Sequence, residues 1–155
     1  MFKRPLNARG EAFVVAQMVL LAGIFGLPLL RPSRRPGGAL RFLGTLLMLA
    51  GGVLTAWSVR RLGRNLTPVP QPLPDGELVQ TGPYALARHP IYGGLLLLAV
   101  GWSLRRGHSG ALCLSGLLWV LFEFKAHNEE ARLAEQYPDY PAYRRRVRKF
   151  IPWLY

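Results

Sequence analysis

The sequence predicts an all-α integral membrane protein with about four transmembrane helices and a cytoplasmic C-terminal helix. Half of its 155 residues are apolar and only 18% are charged, against roughly 25% in an ordinary soluble domain. Four apolar runs follow one another along the chain, and basic residues gather at the ends of these runs. A chain of this length usually forms one domain, so we expect a single membrane-embedded domain over residues 1–155.

The first two apolar runs have the length of membrane-spanning helices. Residues 12–30 contain only Gln17 as a strongly polar residue, and residues 42–59 carry no charge. A helix needs about 20 apolar residues to cross a hydrocarbon core about 30 Å thick. Both runs are close to that length, so we expect each to cross the membrane.

The third and fourth runs are shorter, and their interpretation as spans depends on flanking residues. The uninterrupted apolar stretches cover residues 91–104 and 109–122, a length that also suits buried core helices. Arg105, Arg106 and Lys125 have long stems that can snorkel to the interface, which extends the predicted spans to about 90–106 and 108–125. The connection between them is very short, so we expect a tight antiparallel hairpin. A partly submerged hairpin is the alternative.

The distribution of basic residues predicts which side of the membrane each segment occupies. With four spans, both termini and the 60–90 segment lie on one side. Six of the 20 Lys and Arg residues fall on the other side: Arg31, Arg34, Arg35, Arg41, Arg105 and Arg106. The remaining 14 of the 20, which include Lys3, Arg4 and Arg9, fall on the first side. Because Lys and Arg accumulate in cytoplasmic loops, we expect both termini in the cytoplasm.

Two segments on this side differ from the spans. Residues 64–81 contain alternating prolines at positions 68, 70, 72 and 74, which exclude a helix, and Asp75-Gly76 is a turn signal. After the fourth run, residues 123–136 are polar and helix-prone until Tyr137-Pro-Asp-Tyr-Pro141 ends the helix. The basic segment Arg144–Lys149 then anchors the chain to anionic lipid or contributes to substrate binding. Residues 151–155 close the chain with interfacial side chains.

The segment Arg88-His-Pro-Ile-Tyr92 has the features of an anion site at the start of the third span. Pro90 suits the first turn of a helix, and His89 is pushed out of helical geometry because a proline follows it. Arg88 and His89 therefore lie beside a helix N-terminus, which favours an anion. Gly93 and Gly94 allow a ligand or a neighbouring backbone to come close. On spacing alone, lipid anchoring by Arg88 and helix capping by His89 explain the segment equally well.

Carboxylates just after the fourth span form a second candidate feature. Glu129 and Glu130 lie near a membrane face whose anionic lipid repels them, so they need a cationic or hydroxyl-rich ligand, or pairing with Arg88 or Arg132. Glu123 lies closer to the hydrophobic layer, where an ionisable side chain is a functional candidate. A solvated helix face is the alternative for all three.

Composition excludes several classes of protein. The net charge of +12 raises the question of nucleic acid, but no nucleic-acid motif is present and the bases flank apolar runs. A single cysteine excludes an intrachain disulfide and any CxxC metal or redox site. We therefore expect no nucleic-acid partner and no metal site.

Several motifs follow one another in a fixed order along the second half of the chain. They are Gly82-Pro-Tyr84, Arg88-His-Pro-Ile-Tyr-Gly93, Glu129-Glu130, and Tyr140 and Tyr143 before Arg146-Val147. Together they resemble the isoprenylcysteine carboxyl methyltransferase family, whose wider group includes phospholipid methyltransferases and many bacterial membrane proteins. The resemblance covers roughly residues 62–152, and the first two spans match only as generic membrane helices.

The resemblance implies methyl transfer from S-adenosylmethionine, with S-adenosylhomocysteine as product, in a cytoplasmic region of about residues 62–94 and 123–150. The positions that match the motifs and would bind the cofactor are Tyr84, His89, Pro90, Tyr92, Gly93, Glu129 and Glu130. Arg88 would face the acceptor or the cofactor carboxylate. Arg88 and Glu123 are the two candidate catalytic residues. Helix-end amides suit that carboxylate, and the Glu side chains suit an amine, ribose hydroxyls or the sulfonium charge.

The resemblance does not identify the acceptor. Eukaryotic members are longer, and this compact form looks closer to bacterial relatives, so we expect a protein of the bacterial inner membrane. The acceptor would be a lipophilic carboxylate, thiol or amine, as a small molecule or a lipid, that enters sideways from the bilayer. Membrane lipids are the other expected partners, and no oligomeric state is indicated.

Two other functions remain open at this point. Membrane reductases of the sterol or steroid type use NADPH and resemble this C-terminal region. They typically have Asn between the Pro and the Tyr and Glu after the following Gly, where this chain has Ile91 and Gly94. A non-enzymatic membrane subunit with the same fold is the other alternative.

Overall fold

The computed structural model describes residues 10–33, 36–69 and 73–150, and five α-helices lie in these ranges. They are α1 (Glu11–Leu30), α2 (Gly38–Leu62), α3 (Pro90–Arg106), α4 (Ser109–Gln136) and α5 (Tyr140–Arg146). Short 3-10 turns cover Gly63–Asn65 and Gly82–Ala85. The described ranges contain no β-strand, only one isolated parallel bridge between Ala87 and Arg148. The predicted all-α membrane fold is confirmed.

Four predicted features lie outside the described residues. They are the basic residues Lys3, Arg4 and Arg9, the pair Arg34 and Arg35, the prolines Pro70 and Pro72, and the closing segment 151–155. Within the described part of the proline-rich loop, the backbone N–H of Gly76 donates to the carbonyl of Leu73 at 3.1 Å. The turn predicted around Asp75 is therefore confirmed.

Three described helices are long and apolar enough to cross a membrane: α1, α4, and α2 with the 3-10 turn that follows it. Their large apolar side chains face outward, among them Val19, Phe42, Val53 and Leu117. Such a surface suits lipid rather than water. The third predicted span, α3, has 17 residues, which corresponds to roughly 25 Å. Three of the four predicted spans thus have the required length, and the crossing of α3 stays a prediction.

α3 is packed closely against α2 through glycines. A Cβ at Gly51 would lie 2.5 Å from the carbonyl oxygen of Gly94, and one at Gly44 would lie 2.6 Å from that of Gly101. Small residues at such positions let two membrane helices approach closely. From the sequence we expected a ligand or a neighbouring backbone to come close to Gly94. In the structure this close neighbour is the backbone of α2.

The hairpin between α3 and α4 is as tight as predicted. Gly107 ends α3 with a φ of 63°, and its N–H donates to the carbonyl of Leu104 at 3.1 Å. Gly adopts this left-handed conformation without steric cost, which makes it the usual residue at a helix C-terminus. The imidazole of His108 then accepts from the N–H of Ala111 at 3.1 Å and caps the start of α4.

α4 continues without a break through the polar segment after the fourth apolar run. It ends at Gln136, so one 28-residue helix contains both the predicted span and the predicted polar helix. No helix-breaking residue separates the two parts, and a change from apolar to polar side chains does not by itself end a helix. The core lies where α4 meets α1, α3 and the C-terminal segment, and it contains Ile24, Ala99, Leu118, Phe122, Ala126 and Phe150.

The prediction that Lys125 snorkels to the interface is wrong. Its side chain is only 3% exposed, and its ammonium donates to the amide oxygen of Gln17 on α1 at 2.7 Å. The lysine lies on the inner face of α4, so its stem cannot reach the interface along the outside of the helix. Arg105 lies near the C-terminal end of α3. Its side chain is exposed, as we expected for a residue that snorkels.

Candidate functional site

The start of α3 has the geometry that the sequence predicted. Pro90 is the first helical residue, and His89 before it has φ −123° and ψ 61°, outside helical geometry. The His89 side chain caps no helix N–H. Its Nε2 instead lies 3.1 Å from Oε1 of Glu130 on α4. Helix capping, the alternative to an anion site as the role of His89, is therefore wrong.

The C-terminal segment after α5 holds the start of α3 in place. The backbone N–H of Arg88 donates to the carbonyl of Arg148 at 2.8 Å, and that of His89 donates to the carbonyl of Lys149 at 3.0 Å. A Cβ at Gly93 would lie 3.1 Å from the carbonyl oxygen of Phe150. Gly93 therefore makes room for the chain's own C-terminal segment. Nothing in the sequence pattern indicated this pairing, because it joins two irregular segments far apart in the chain.

Glu130 is the centre of a buried network of charged side chains. Its carboxylate, 3% exposed, accepts from Nε of Arg88 at 2.9 Å and lies 3.3 Å from Nε of Arg144. Arg88 also donates through Nη1 to the carbonyl of Val147 at 2.6 Å. Pairing with Arg88 was one of the explanations offered for the two glutamates, and it is confirmed for Glu130. Arg88 is held by protein groups and does not extend freely toward the membrane surface.

Glu129 faces a different environment from its neighbour. Its side chain is 30% exposed, accepts from the hydroxyl of Tyr92 at 2.8 Å, and lies 3.6 Å from Nδ1 of His89. The rings of His89 and Tyr92 are stacked, with centroids 5.3 Å apart and planes 2° apart. Two adjacent carboxylates thus have separate surroundings, one enclosed by arginines and one open to a cavity.

Three tyrosines form an aromatic cluster beside these glutamates. The hydroxyl of Tyr143 donates to the backbone carbonyl of Tyr84 at 2.6 Å. The hydroxyl of Tyr140 is buried and has no hydrogen-bond partner among the described residues. Burial raises the pKa of Tyr84, Tyr140 and Tyr143 above the ordinary value, so all three hydroxyls remain protonated near neutral pH. The hydroxyl of Tyr140 therefore keeps its hydrogen-bonding capacity unsatisfied in a residue that lines the cavity described next.

A cavity of about 290 Å³ joins these groups, close to the lower end of the usual size range of small-molecule sites. Six of the predicted site residues line it: Tyr84, Arg88, His89, Pro90, Tyr92 and Glu129. Tyr140 and Tyr143 line it as well. Both occur in the motifs, but neither was predicted as a site residue.

Three predicted site residues are not on the cavity wall. Glu130 lies behind Arg88 and His89, and Gly93 faces the C-terminal segment. Glu123 accepts from the ammonium of Lys149 at 2.6 Å, and its Oε1 is buried without a partner. The structure brings these residues near the site, where they support the groups that form its wall.

The cavity has two ends with different walls. One end is covered by the loop between α2 and α3, where the amide of Gln136 donates to the carbonyl of Leu73 at 2.6 Å and the N–H of Glu77 donates to Oδ1 of Asn65 at 3.0 Å. The other end extends between α1, α3 and α4, where the lining residues are Val14, Gln17, Met18, Ile91, Leu95 and Lys125. Gln17 and Lys125 were noticed in the sequence, as the polar interruption of the first span and as a flanking base, but not as site residues.

Comparison with known proteins gives a consistent result. The sequence model of the phospholipid methyltransferase family matches residues 39–140. The protein-S-isoprenylcysteine O-methyltransferase of Schizosaccharomyces pombe is 38% identical over 82 residues, which is 52% of this chain and 35% of that protein. The probable protein-S-isoprenylcysteine O-methyltransferase of Oryza sativa subsp. indica is 24% identical over 158 residues, which is 96% of this chain and 83% of that protein. The matched part thus spans about a third of the fission-yeast protein and most of the rice protein.

Proposed function

Since the chain belongs to the phospholipid methyltransferase family, we propose that it transfers a methyl group from S-adenosylmethionine to a lipophilic acceptor at the cytoplasmic face of the membrane. The observation that carries this proposal is the position of Glu129 and Tyr140 on one cavity wall beside the N-terminus of α3. A ligand with both polar and cationic groups would find partners there that the protein itself leaves open.

The residues on the wall fit such a cofactor. The partly exposed carboxylate of Glu129 suits an ammonium group or ribose hydroxyls, and the unpaired hydroxyl of Tyr140 suits an acceptor or donor on the ligand. The stacked rings of His89 and Tyr92 give the same wall a flat aromatic surface. We expect Tyr84, His89, Pro90, Tyr92, Glu129 and Tyr140 to hold the cofactor.

Catalysis would depend mainly on positioning. When bound, S-adenosylmethionine supplies an electrophilic methyl group on a sulfonium. Holding two reactants in the correct geometry can supply several kcal/mol of the barrier reduction. Here Glu130 fixes Arg88 and His89, and the C-terminal segment fixes the backbone of both. Arg88 and Glu123 are proposed to support the reaction, with Arg88 on the cavity wall and Glu123 paired to Lys149.

The acceptor is proposed to enter from the bilayer. At the end of the cavity between α1 and α3, the side chains of Val14, Met18, Ile91 and Leu95 form an apolar wall, and Met18 is 59% exposed on the outer surface of α1. An acceptor that enters at this point would come from the lipid beside α1. The acceptor would thus be a lipophilic small molecule or a lipid, methylated on a carboxylate, thiol or amine.

The orientation proposed for the bacterial inner membrane follows from the charges around the site. Arg60 and Arg61 in the last turn of α2, Arg64 in the 3-10 turn after it, and Arg144–Arg146 of α5 lie at the same end of the molecule as the cavity. Because basic residues accumulate on the cytoplasmic side, we place the cavity and both termini there. Labelling of a cysteine at exposed Ala142 in a Cys113→Ala background tests this. Protection in intact cells and labelling in inverted vesicles are expected, and the reverse pattern would place the site outside.

Calorimetric titration of the purified protein with S-adenosylhomocysteine, and separately with NADPH, tests the function itself. We expect S-adenosylhomocysteine to bind and NADPH not to bind. Replacement of His89 by Ala should abolish that binding in a protein that stays folded. Binding of NADPH alone would favour a reductase and overturn the proposal, and binding of neither would favour a non-enzymatic subunit.

A further inference from the structure

We propose that Lys125, held in place by Gln17, binds an anionic group of the acceptor and thereby sets acceptor specificity. The inference rests on the proposed function in one respect, namely that an acceptor enters the same cavity. It concerns the part of the cavity between α1 and α4, next to the cofactor residue Tyr92.

Lys125 is a buried ammonium on a membrane helix. Its side chain is 3% exposed and lines the cavity, and its Nζ donates to Oε1 of Gln17 at 2.7 Å. The same Nζ lies 5.2 Å from the centre of the Tyr92 ring. Gln17, which interrupts the apolar run of α1, and Lys125 on α4 are therefore hydrogen-bond partners.

The partners of Lys125 do not balance its charge. In residues 10–33, 36–69 and 73–150, no carboxylate lies within ion-pair distance of its ammonium: Glu123 pairs with Lys149, and Glu129, one helical turn further along α4, accepts from Tyr92 and attracts the ammonium only from longer range. An amide oxygen satisfies one of the three N–H donors of an ammonium and brings no negative charge. Burial of an unpaired charge is strongly unfavourable. Ionisable residues within membrane helices typically mark a substrate path.

The surroundings of Lys125 suit the head of an amphiphile. Val14, Met18, Ile91 and Leu95 provide an apolar wall beside it, so a hydrocarbon chain and an oxyanion can be bound together. Lys125 and Leu133 both line the cavity, and they lie about 12 Å apart along α4 at 1.5 Å per residue. Glu129 lies between them along the helix, so this carboxylate separates the two ends of the cavity. The anion is a carboxylate or a phosphate, since both offer the same acceptor oxygens to an ammonium.

Binding of long-chain probes to the protein in phosphatidylcholine nanodiscs tests this inference. The probes are hexadecanoate, hexadecyl phosphate and hexadecanol, with partition into empty nanodiscs subtracted. A charge-assisted hydrogen bond contributes about 1.5–3 kcal/mol, so wild-type protein should bind at least one of the two anions roughly 10- to 100-fold more tightly than the alcohol. The anion that shows the larger preference identifies carboxylate or phosphate as the recognised group.

Variants then assign the preference to Lys125. Lys125→Met should abolish it, Lys125→Arg should keep most of it, and Gln17→Leu should reduce it. Arg60→Gln is the matched control, because it removes an exposed positive charge at the same end of the molecule without changing the cavity. Affinity for S-adenosylhomocysteine should stay within about threefold in Lys125→Met, which shows that the variant is folded.

Two outcomes would overturn the inference. The first is a wild-type protein that binds hexadecanol as tightly as both anions, and the second is a Lys125→Met variant that keeps the anion preference. Both outcomes can be distinguished from failure of the proposed function. If the proposed function is wrong, the wild-type protein itself does not bind S-adenosylhomocysteine. Should Lys125→Met fail to fold, Gln17→Leu provides the test, and an unchanged anion preference in that variant would overturn the inference.

Discussion

Nε2 of His89 lies 3.1 Å from Oε1 of Glu130, and this contact joins the start of α3 to α4 across 41 residues of sequence. The same oxygen accepts from Nε of Arg88 at 2.9 Å. One buried carboxylate thus fixes the two adjacent residues that lead into Pro90. Because Glu130 does not line the cavity, we interpret it as a positioning residue that acts through Arg88 and His89.

Replacement of Glu130 by Gln should therefore affect both stability and cofactor affinity. The amide cannot balance the charge of Arg88, and removal of one partner of a buried pair typically costs about 3–5 kcal/mol. We expect a melting temperature lower by several degrees and at least tenfold weaker binding of S-adenosylhomocysteine. Thermal unfolding and calorimetry on the purified protein measure the two effects. Exposed Glu135→Gln is the control, and an unchanged melting temperature in Glu130→Gln would contradict the positioning role.

Replacement of Glu129 by Gln should affect binding without a comparable loss of stability. This carboxylate is partly exposed and faces the cavity, and an amide can still accept from the hydroxyl of Tyr92. We expect a roughly 10- to 100-fold loss of affinity for S-adenosylhomocysteine, the magnitude of one charge-assisted hydrogen bond, with a melting temperature close to wild type. A variant that binds as tightly as wild type would remove Glu129 from the cofactor site.

The sequence predicted the features that depend on local chemistry. Proline at position 90 has a fixed φ and no N–H to lose, so the start of α3 followed from one residue. The short segment before α4, with its glycine, predicted the hairpin. Apolar length predicted α1 and α2, and the motif order predicted six of the residues that line the cavity.

Other features depend on contacts between distant residues, and the sequence did not predict them. The backbone pairing of Arg88 and His89 with Arg148 and Lys149 joins two irregular segments, which have no periodic pattern. The burial of Lys125 depends on which face of α4 meets α1. A run of apolar residues on all sides of a helix does not specify that face.

The close contact between α2 and α3 makes a further prediction. Gly51→Ala would place a Cβ 2.5 Å from the carbonyl oxygen of Gly94 and 2.8 Å from the backbone nitrogen of Leu98. The backbone cannot yield as a flexible side chain would, so we expect a loss of about 1–3 kcal/mol from overpacking and a lower melting temperature. Gly52→Ala is the matched control because, in the described part of the chain, no atom beyond its chain neighbours and its own helix backbone lies within 4 Å of its added Cβ. Equal effects of the two substitutions would argue against this helix contact.

Tyr143 and Tyr140 provide the most selective test of the aromatic cluster, because the same substitution should act on different properties at the two positions. Tyr143→Phe removes the donor to the buried carbonyl of Tyr84, and an unsatisfied buried acceptor costs about 1–3 kcal/mol. This variant should melt at a lower temperature. Tyr140→Phe removes a hydroxyl that has no partner in the structure, so the protein without ligand should be as stable as wild type or more stable.

For the affinity for S-adenosylhomocysteine the order should be reversed, with the larger loss in Tyr140→Phe. If the hydroxyl of Tyr140 is kept for the cofactor, Tyr140→Phe loses a hydrogen bond in the complex only, worth about 1 kcal/mol or roughly fivefold in affinity. Burial keeps the pKa of Tyr140 raised, so the neutral hydroxyl is the group that binds and the effect should not change between pH 6 and 9. A Tyr140→Phe variant that is less stable but binds normally would show that the hydroxyl has a structural partner and no role in binding.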